Sequence, residues 1–201
     1  RLTAPTVAAG AVAKKWLAEN LGISIRACLT KLGTTLVRVE DWAQVNNNPF
    51  FAANASQIAE LEAQMDEVRK TGDSIGAELI VEAAGVPAGL GNPVYGRLDA
   101  KWAYALMGVN AVKGVEIGDG FAVSGATGTA NADCMTKSGF VTNHAGGMLG
   151  GISDGATLTA HVAIKPTPSV RLPLASLDEA GNEVEVVTTG RQDPCVGLRA
   201  A

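Results

Sequence analysis

The sequence predicts an α+β protein: an α+β sandwich with largely antiparallel sheets, formed by residues 1–201 as a single domain. Two observations predict it. Helix-period apolar spacing alternates with strand-period spacing in the first half of the chain, and strand-period spacing dominates the second. Between these stretches stand turns rich in glycine, which supplies 24 of the 201 residues.

The elements follow in order. Pro5–Leu21 reads as a helix, with Pro5 in its first turn, Val12, Trp16 and Leu17 as an apolar stripe, and Gly22 as its stop. Ile23, Ile25, Ala27 and Leu29 alternate with Ser24, Arg26, Cys28 and Thr30, the pattern of a half-buried strand. Asn46-Asn47-Asn48-Pro49 marks a loop. A second helix is expected from about Ser56, its cap, to Lys70, with Ile58, Leu61, Met65 and Val68 on one face and Gly72 ending it. Ser74–Ala84 is a long strand, with Ile75, Ala77, Leu79, Val81 and Ala83 pointing one way. The turn-rich GVPAGLGNPVY leads to a third helix over about Arg97–Gly108, with Leu98, Trp102, Ala105 and Leu106 facing inward. Val112–Phe121 is a strand interrupted by Gly114, Gly118 and Gly120, and Gly125–Asn131 is a loop of small residues. From Thr157 to Lys165 the alternation returns, Leu158, Ala160, Val162 and Ile164 on one face, with Thr157, Thr159, His161 and Lys165 on the other. Glu183–Thr188 is the last strand, and a GRQDP loop follows it.

Bulk properties narrow the function. Charged residues make up 18%, below the usual quarter, and the apolar set of 47% becomes about 58% with the 24 glycines added and the two tyrosines left out, above the usual range, so an extensive subunit interface is expected. A net charge of −4 without a basic block argues against nucleic acid. No apolar run approaches the ~18 residues of a membrane span, and no signal peptide is visible. Three scattered cysteines, Cys28, Cys134 and Cys195, do not make a disulfide framework, which points to a reducing cytoplasm. No cluster of Cys, His and carboxylates has metal-ligand spacing, so no metal is expected.

The stretch with the most chemical content is Val141–Ser169. Two glycine pairs, Gly146-Gly147 and Gly150-Gly151, open it, where positive φ and close approach of another group are easy. It ends in Lys165-Pro166-Thr167-Pro168-Ser169, a cation and two hydroxyls on a loop stiffened by two prolines. Such a set suits a phosphate, and it equally suits an edge strand ending in an ordinary proline turn. His144 at the glycine corner either lines a site or stabilises the turn, whereas His161 in mid-strand is structural. Gly118-Asp119-Gly120 lacks the third glycine and following helix of a dinucleotide fingerprint. Asn110, read alone, caps the C-terminus of the third helix.

The segments NHAGGMLGGIS, KPTPS, VNAVKGVEIGDGF and GRQDPCVG together resemble chorismate synthase, in that family's order and without a gap from Arg1 to Ala201. The resemblance implies a β-α-β sandwich and the elimination of phosphate and a ring proton from 5-enolpyruvylshikimate 3-phosphate, giving chorismate. It implies reduced flavin mononucleotide (FMN) as cofactor, an association with NADP, and a homotetramer. It carries flavin contacts onto Asn110, Ala111, Gly150, Lys165, Pro166, Thr167, Pro168, Ser169 and Arg191, and a role near the flavin in proton transfer onto Asp193.

The sequence departs from the family pattern at three places. Leu2 stands where the family usually has glutamate, Thr6 where it has arginine, and Gln192 where it has histidine, a group that titrates near neutrality. The resemblance places the family's two catalytic histidines, a serine beside one of them, and further phosphate-gripping arginines before Arg1, and a helical tail after Ala201. A competing expectation is therefore a catalytically silent flavin-binding or assembly module.

Overall fold

The computed structural model describes residues 3–190 and 192–201. Along the chain the elements are α1 (Thr3–Leu21), β1 (Ser24–Leu32), β2 (Thr35–Leu36), α2 (Ile58–Thr71), β3 (Ala77–Ala84), α3 (Leu98–Met107) and β4 (Val112–Ile117). They continue with α4 (Gly128–Asn131), β5 (Met135–Thr136), β6 (Gly139–Phe140), β7 (Met148–Leu149), β8 (Ile152–Ser153), β9 (Leu158–Ile164), β10 (Leu174–Leu177) and β11 (Glu183–Val186). Helices and strands are mixed. Five strands form one sheet in the order β2-β1-β3-β9-β4, and β5-β6, β7-β8 and β10-β11 are two-stranded antiparallel ribbons. The α+β class with antiparallel sheets is as expected.

Two compact units divide the chain. The first holds the residues up to Ala27 and Ile80–Val162. Its buried cluster is Ile23, Ala83, Val86, Met148 and Leu158, with Leu17, Ile25, Leu98, Trp102 and Ile117 packed against it. Arg26 of β1 reaches Glu82 of β3 through Nε and Nη2, at 2.9 and 2.7 Å. Helix α1 does not bury the stripe predicted for it. Leu17 is half-buried, but Val12 and Trp16 are 72% and 55% exposed, because the apolar residues of this alanine-rich helix are spread around its circumference. In α3, Leu98, Trp102 and Leu106 turn inward as predicted while Ala105 is exposed.

The second unit holds Cys28–Leu79 and Ala163–Ala201. Leu29, Leu32, Leu61, Met65 and Ile164 are among its buried residues. Helix α2 buries Leu61, Met65 and Val68, the apolar face its spacing predicts, and ends at Gly72 in the left-handed conformation. Its start differs from expectation. Ser56 is not the cap; buried Asn54 accepts from the Ser56 amide and hydroxyl, at 3.0 and 2.7 Å, and starts a 3-10 turn over Ala55–Gln57. The Asn46–Pro49 loop is likewise built. Asn48 donates to the carbonyls of Gln44 and Ala52 and accepts from the amides of Phe50 and Ala52, closing a 3-10 turn over Trp42–Asn47.

Strand limits moved where turn chemistry overrode the apolar pattern. The third strand begins at Ala77, since Ser74–Gly76 belong to the turn that follows α2. The fourth ends at Ile117, where the chain turns and the Asp119 amide donates to the His144 carbonyl at 2.9 Å. The small-residue loop contains one helical turn, α4, capped by Thr127. Strand β11 stops at Val186 and pairs with β10, a partner that the mixed polarity of Leu174–Leu177 concealed.

Candidate functional site

In the second unit, Ile164 ends β9 and Lys165–Ser169 leaves the sheet as a loop. Its placement depends on Gly76, where a Cβ would come within 2.7 Å of the Ile164 carbonyl oxygen and 3.4 Å of Pro166. The Ser74 hydroxyl donates to the Thr167 carbonyl at 2.6 Å. The Thr167 hydroxyl is buried, with no hydrogen-bond partner among the described residues. Such a group is costly unless something outside the chain satisfies it. Lys165 is exposed and has no ion-pair partner among the described residues. The loop thus presents an unpaired cation and an unsatisfied hydroxyl.

The Gln192–Pro194 segment lies in the same unit; Arg191 lies outside the described residues. Gln192 turns its amide onto the carbonyls of Gly72 and Asp73, both at 3.0 Å. Asp193 is half-buried and accepts from Arg199 Nε at 2.5 Å, so its carboxylate already faces a cation. Cys195 follows, and burial pushes its thiol up, leaving it unreactive packing.

The first unit holds the other predicted residues. Asn110 does not cap α3. The Gly108 amide closes that helix end on the carbonyls of Tyr104 and Ala105, and Asn110 Nδ2 instead donates to the Thr3 hydroxyl at 3.1 Å. Ala111 has φ 71°, a left-handed conformation that costs a non-glycine residue about 1–2 kcal/mol. Gly150 is the first turn residue of the β7-β8 ribbon, with φ 60°, followed by Gly151 at 82°. Positive φ at both positions is what a two-residue hairpin turn needs. Nothing lies within 4 Å of a Cβ placed on Gly150, so one side of that turn is open.

Sequence reasoning missed the residue that holds the corner before this ribbon. Asp133 accepts from the Thr142 hydroxyl at 2.7 Å and from the amides of His144 and Ala145 at 2.7 and 2.9 Å. Burial would raise the carboxyl, but the Ala145 amide, the Thr142 hydroxyl and the His144 amide outweigh it, and it sits below its ordinary range. His144 Nδ1 lies 2.6 Å from Asp119 Oδ2, which makes His144 a turn-stabilising residue. The only signal for Asp133 was an acidic residue just past the small-residue loop and upstream of the glycine-rich stretch. Ser153 was missed too. Buried at 3% exposure, it ties β8 to the Pro87–Leu90 turn, donating to the Pro87 carbonyl and accepting from the Leu90 amide. Among the described residues no group of His, Cys, Asp and Glu could hold a metal ion, and no helix is long and apolar enough to cross a membrane.

The family model for chorismate synthase matches residues 1–201. The chain belongs to the chorismate synthase family. It is 57% identical over 200 residues to a chorismate synthase of Janthinobacterium sp. (strain Marseille), covering 100% of this chain and 55% of that protein. A chorismate synthase of Stenotrophomonas maltophilia (strain K279a) is 58% identical over 200 residues and is covered to 54%. A crystal structure of chorismate synthase matches with a TM-score of 0.77 and 32% identity, covering 84% of this chain and 56% of that one. The chain therefore spans about half the length of the chorismate synthases it matches.

Proposed function

We propose that this chain is part of a chorismate synthase, a lyase that eliminates phosphate and a ring proton from 5-enolpyruvylshikimate 3-phosphate. The observation that carries the reading is the family match along the whole chain. The proposed cofactor is reduced flavin mononucleotide, which supplies electron density transiently when bound. The residues present fit it. Lys165 offers an unpaired ammonium and Thr167 an unsatisfied buried hydroxyl, and with Ser169 they suit the flavin phosphate, on a loop stiffened by Pro166 and Pro168.

In the first unit, the open turn at Gly150 admits a planar ring close to the backbone, and strained Ala111 beside Asn110 is the kind of conformation that clusters at ligand sites. Arg191 supplies a permanent cation for the flavin or the substrate's anionic groups. To Asp193, whose carboxylate accepts from Arg199, we assign the proton-transfer role that the family resemblance implies. We further propose a cytoplasmic homotetramer that draws on NADP. Exposed Trp16, Phe121 and Leu177 are apolar surface of the sort that subunit contacts cover, and Cys134 and Cys195 form no disulfide.

The test is phosphate release from 5-enolpyruvylshikimate 3-phosphate by the intact protein, anaerobically, with and without reduced flavin mononucleotide. Flavin-dependent release is expected. Absence of turnover alongside tight flavin binding would leave only a flavin-binding role.

A further inference from the structure

We infer that the turn Gly72–Gly76 sets the register between the two flavin-site segments of the second unit, Lys165–Ser169 and the segment around Asp193, with Ser74 and Gln192 as positioning residues. The inference rests on the flavin reading above. Five hydrogen bonds converge on this turn. Towards the first segment, the Ser74 hydroxyl donates to the Thr167 carbonyl at 2.6 Å, and the Arg171 amide donates to the Gly72 carbonyl at 2.9 Å. Towards the second, Gln192 Nε2 donates to the carbonyls of Gly72 and Asp73, both at 3.0 Å, and the Ile75 amide donates to the Pro194 carbonyl at 2.9 Å. The Gly72 carbonyl thus accepts at once from Arg171, two residues past the first segment, and from Gln192 of the second.

The turn is itself anchored. Gly72 caps α2, whose Leu61, Met65 and Val68 are buried, and the Gly76 carbonyl accepts from the Gly33 amide at 2.9 Å. Past Val170, which is buried, and Arg171, which donates to Gly72, the chain between the two segments has little such support. It forms the β10-β11 ribbon, in which all residues but Val184 are exposed. Register between the loops therefore comes from the turn. A ligand meeting loops already in register does not spend affinity on ordering them. The geometry also accounts for Gln192, whose one nitrogen carries two hydrogens and serves two carbonyls.

The test uses the intact protein, flavin fluorescence titration with flavin mononucleotide, and the melting midpoint of the flavin-free form. Ser74→Ala and Gln192→Leu should each weaken flavin mononucleotide binding about three- to tenfold, the usual effect of one or two neutral hydrogen bonds. The conservative variants Ser74→Thr and Gln192→His keep a donor and should restore affinity to within about twofold of wild type. Because Ser74 acts through the lysine loop, Ser74→Ala should add less than about twofold in a Lys165→Ala background.

Wild-type affinity in Ser74→Ala and Gln192→Leu, with weakened binding in Lys165→Ala, would overturn the positioning role and leave the flavin reading intact. A lower melting midpoint with unchanged affinity would make the turn a stability element and equally overturn the role, as would failure of the conservative variants to restore binding. An undiminished effect of Ser74→Ala in the Lys165→Ala background would mean that Ser74 does not act through that loop. Unchanged affinity in Lys165→Ala itself would remove the phosphate site, and this inference with it.

Discussion

Replacing Lys165 by alanine removes a cation that has no ion-pair partner among the described residues. Folding should not notice the change: an exposed substitution away from packing usually stays within ~0.5 kcal/mol, or a melting shift of about 2 °C in a chain of this size. Flavin affinity should notice it. A hydrogen bond to a charged group contributes roughly 1.5–3 kcal/mol, or about ten- to hundredfold in Kd. Since Lys165 is exposed, water and salt screen it, and the lower end applies. We expect about a tenfold rise in the Kd for flavin mononucleotide near 0.15 M salt, growing as salt is lowered.

Riboflavin provides the control. It shares the ring system and lacks the phosphate, so its affinity should be the same for both proteins. Anaerobic titration of flavin fluorescence, with both proteins and both ligands at two salt concentrations, measures these affinities. Equal flavin mononucleotide affinities in wild type and Lys165→Ala would refute the assignment of the phosphate to this loop. A parallel loss for riboflavin would refute the charge argument, since the effect would then arise from a change in loop shape.

Other outcomes follow from the same geometry. Gln192→His should change turnover of the intact protein less than tenfold, because that position supplies hydrogen-bond donors; a gain of two orders of magnitude would mean that it supplies a proton. Asp133→Asn should lower the melting midpoint at pH 7. The folded carboxyl lies below its unfolded value of about 3.9, so its stabilisation is complete above that value and fades as pH falls through the folded one; melting curves of the two proteins should converge below about pH 4, and a gap that widens in acid would refute this. Residues 1–201 expressed alone should show no turnover in the anaerobic phosphate assay, because His144 is engaged with Asp119 and His161 lies within β9, which leaves neither in the general acid–base role that the resemblance assigns to histidines outside these residues. Flavin-dependent phosphate release by residues 1–201 would refute this.

Elements whose periodicity agrees with their burial were legible in the sequence. In β9 four alternating apolar residues are all buried, and α2 shows three of its four predicted contacts and its glycine stop. Where single polar side chains fix the backbone, periodicity carried no signal. Asn54 displaced Ser56 as a cap, and Asp133 built the corner before Gly150 without any apolar pattern to announce it. Helix α1 failed for another reason: an alanine-rich sequence is helical by propensity whichever face is buried, so its helix was readable and its contacts were not.

Gln192 shows how the two kinds of information combine. Beside the family pattern, glutamine in place of histidine looked like a lost proton carrier. Its surroundings indicate a different requirement, because both amide contacts are donations to carbonyls that α2 and its cap hold in place. Neutral histidine can donate from one ring nitrogen, so the two residue types share the property that the turn uses and differ in the one it does not. A neighbour that binds only backbone leaves Arg199 as the charged group observed against the Asp193 carboxylate, so substituting Gln192 should act on Asp193 only through the position of its backbone.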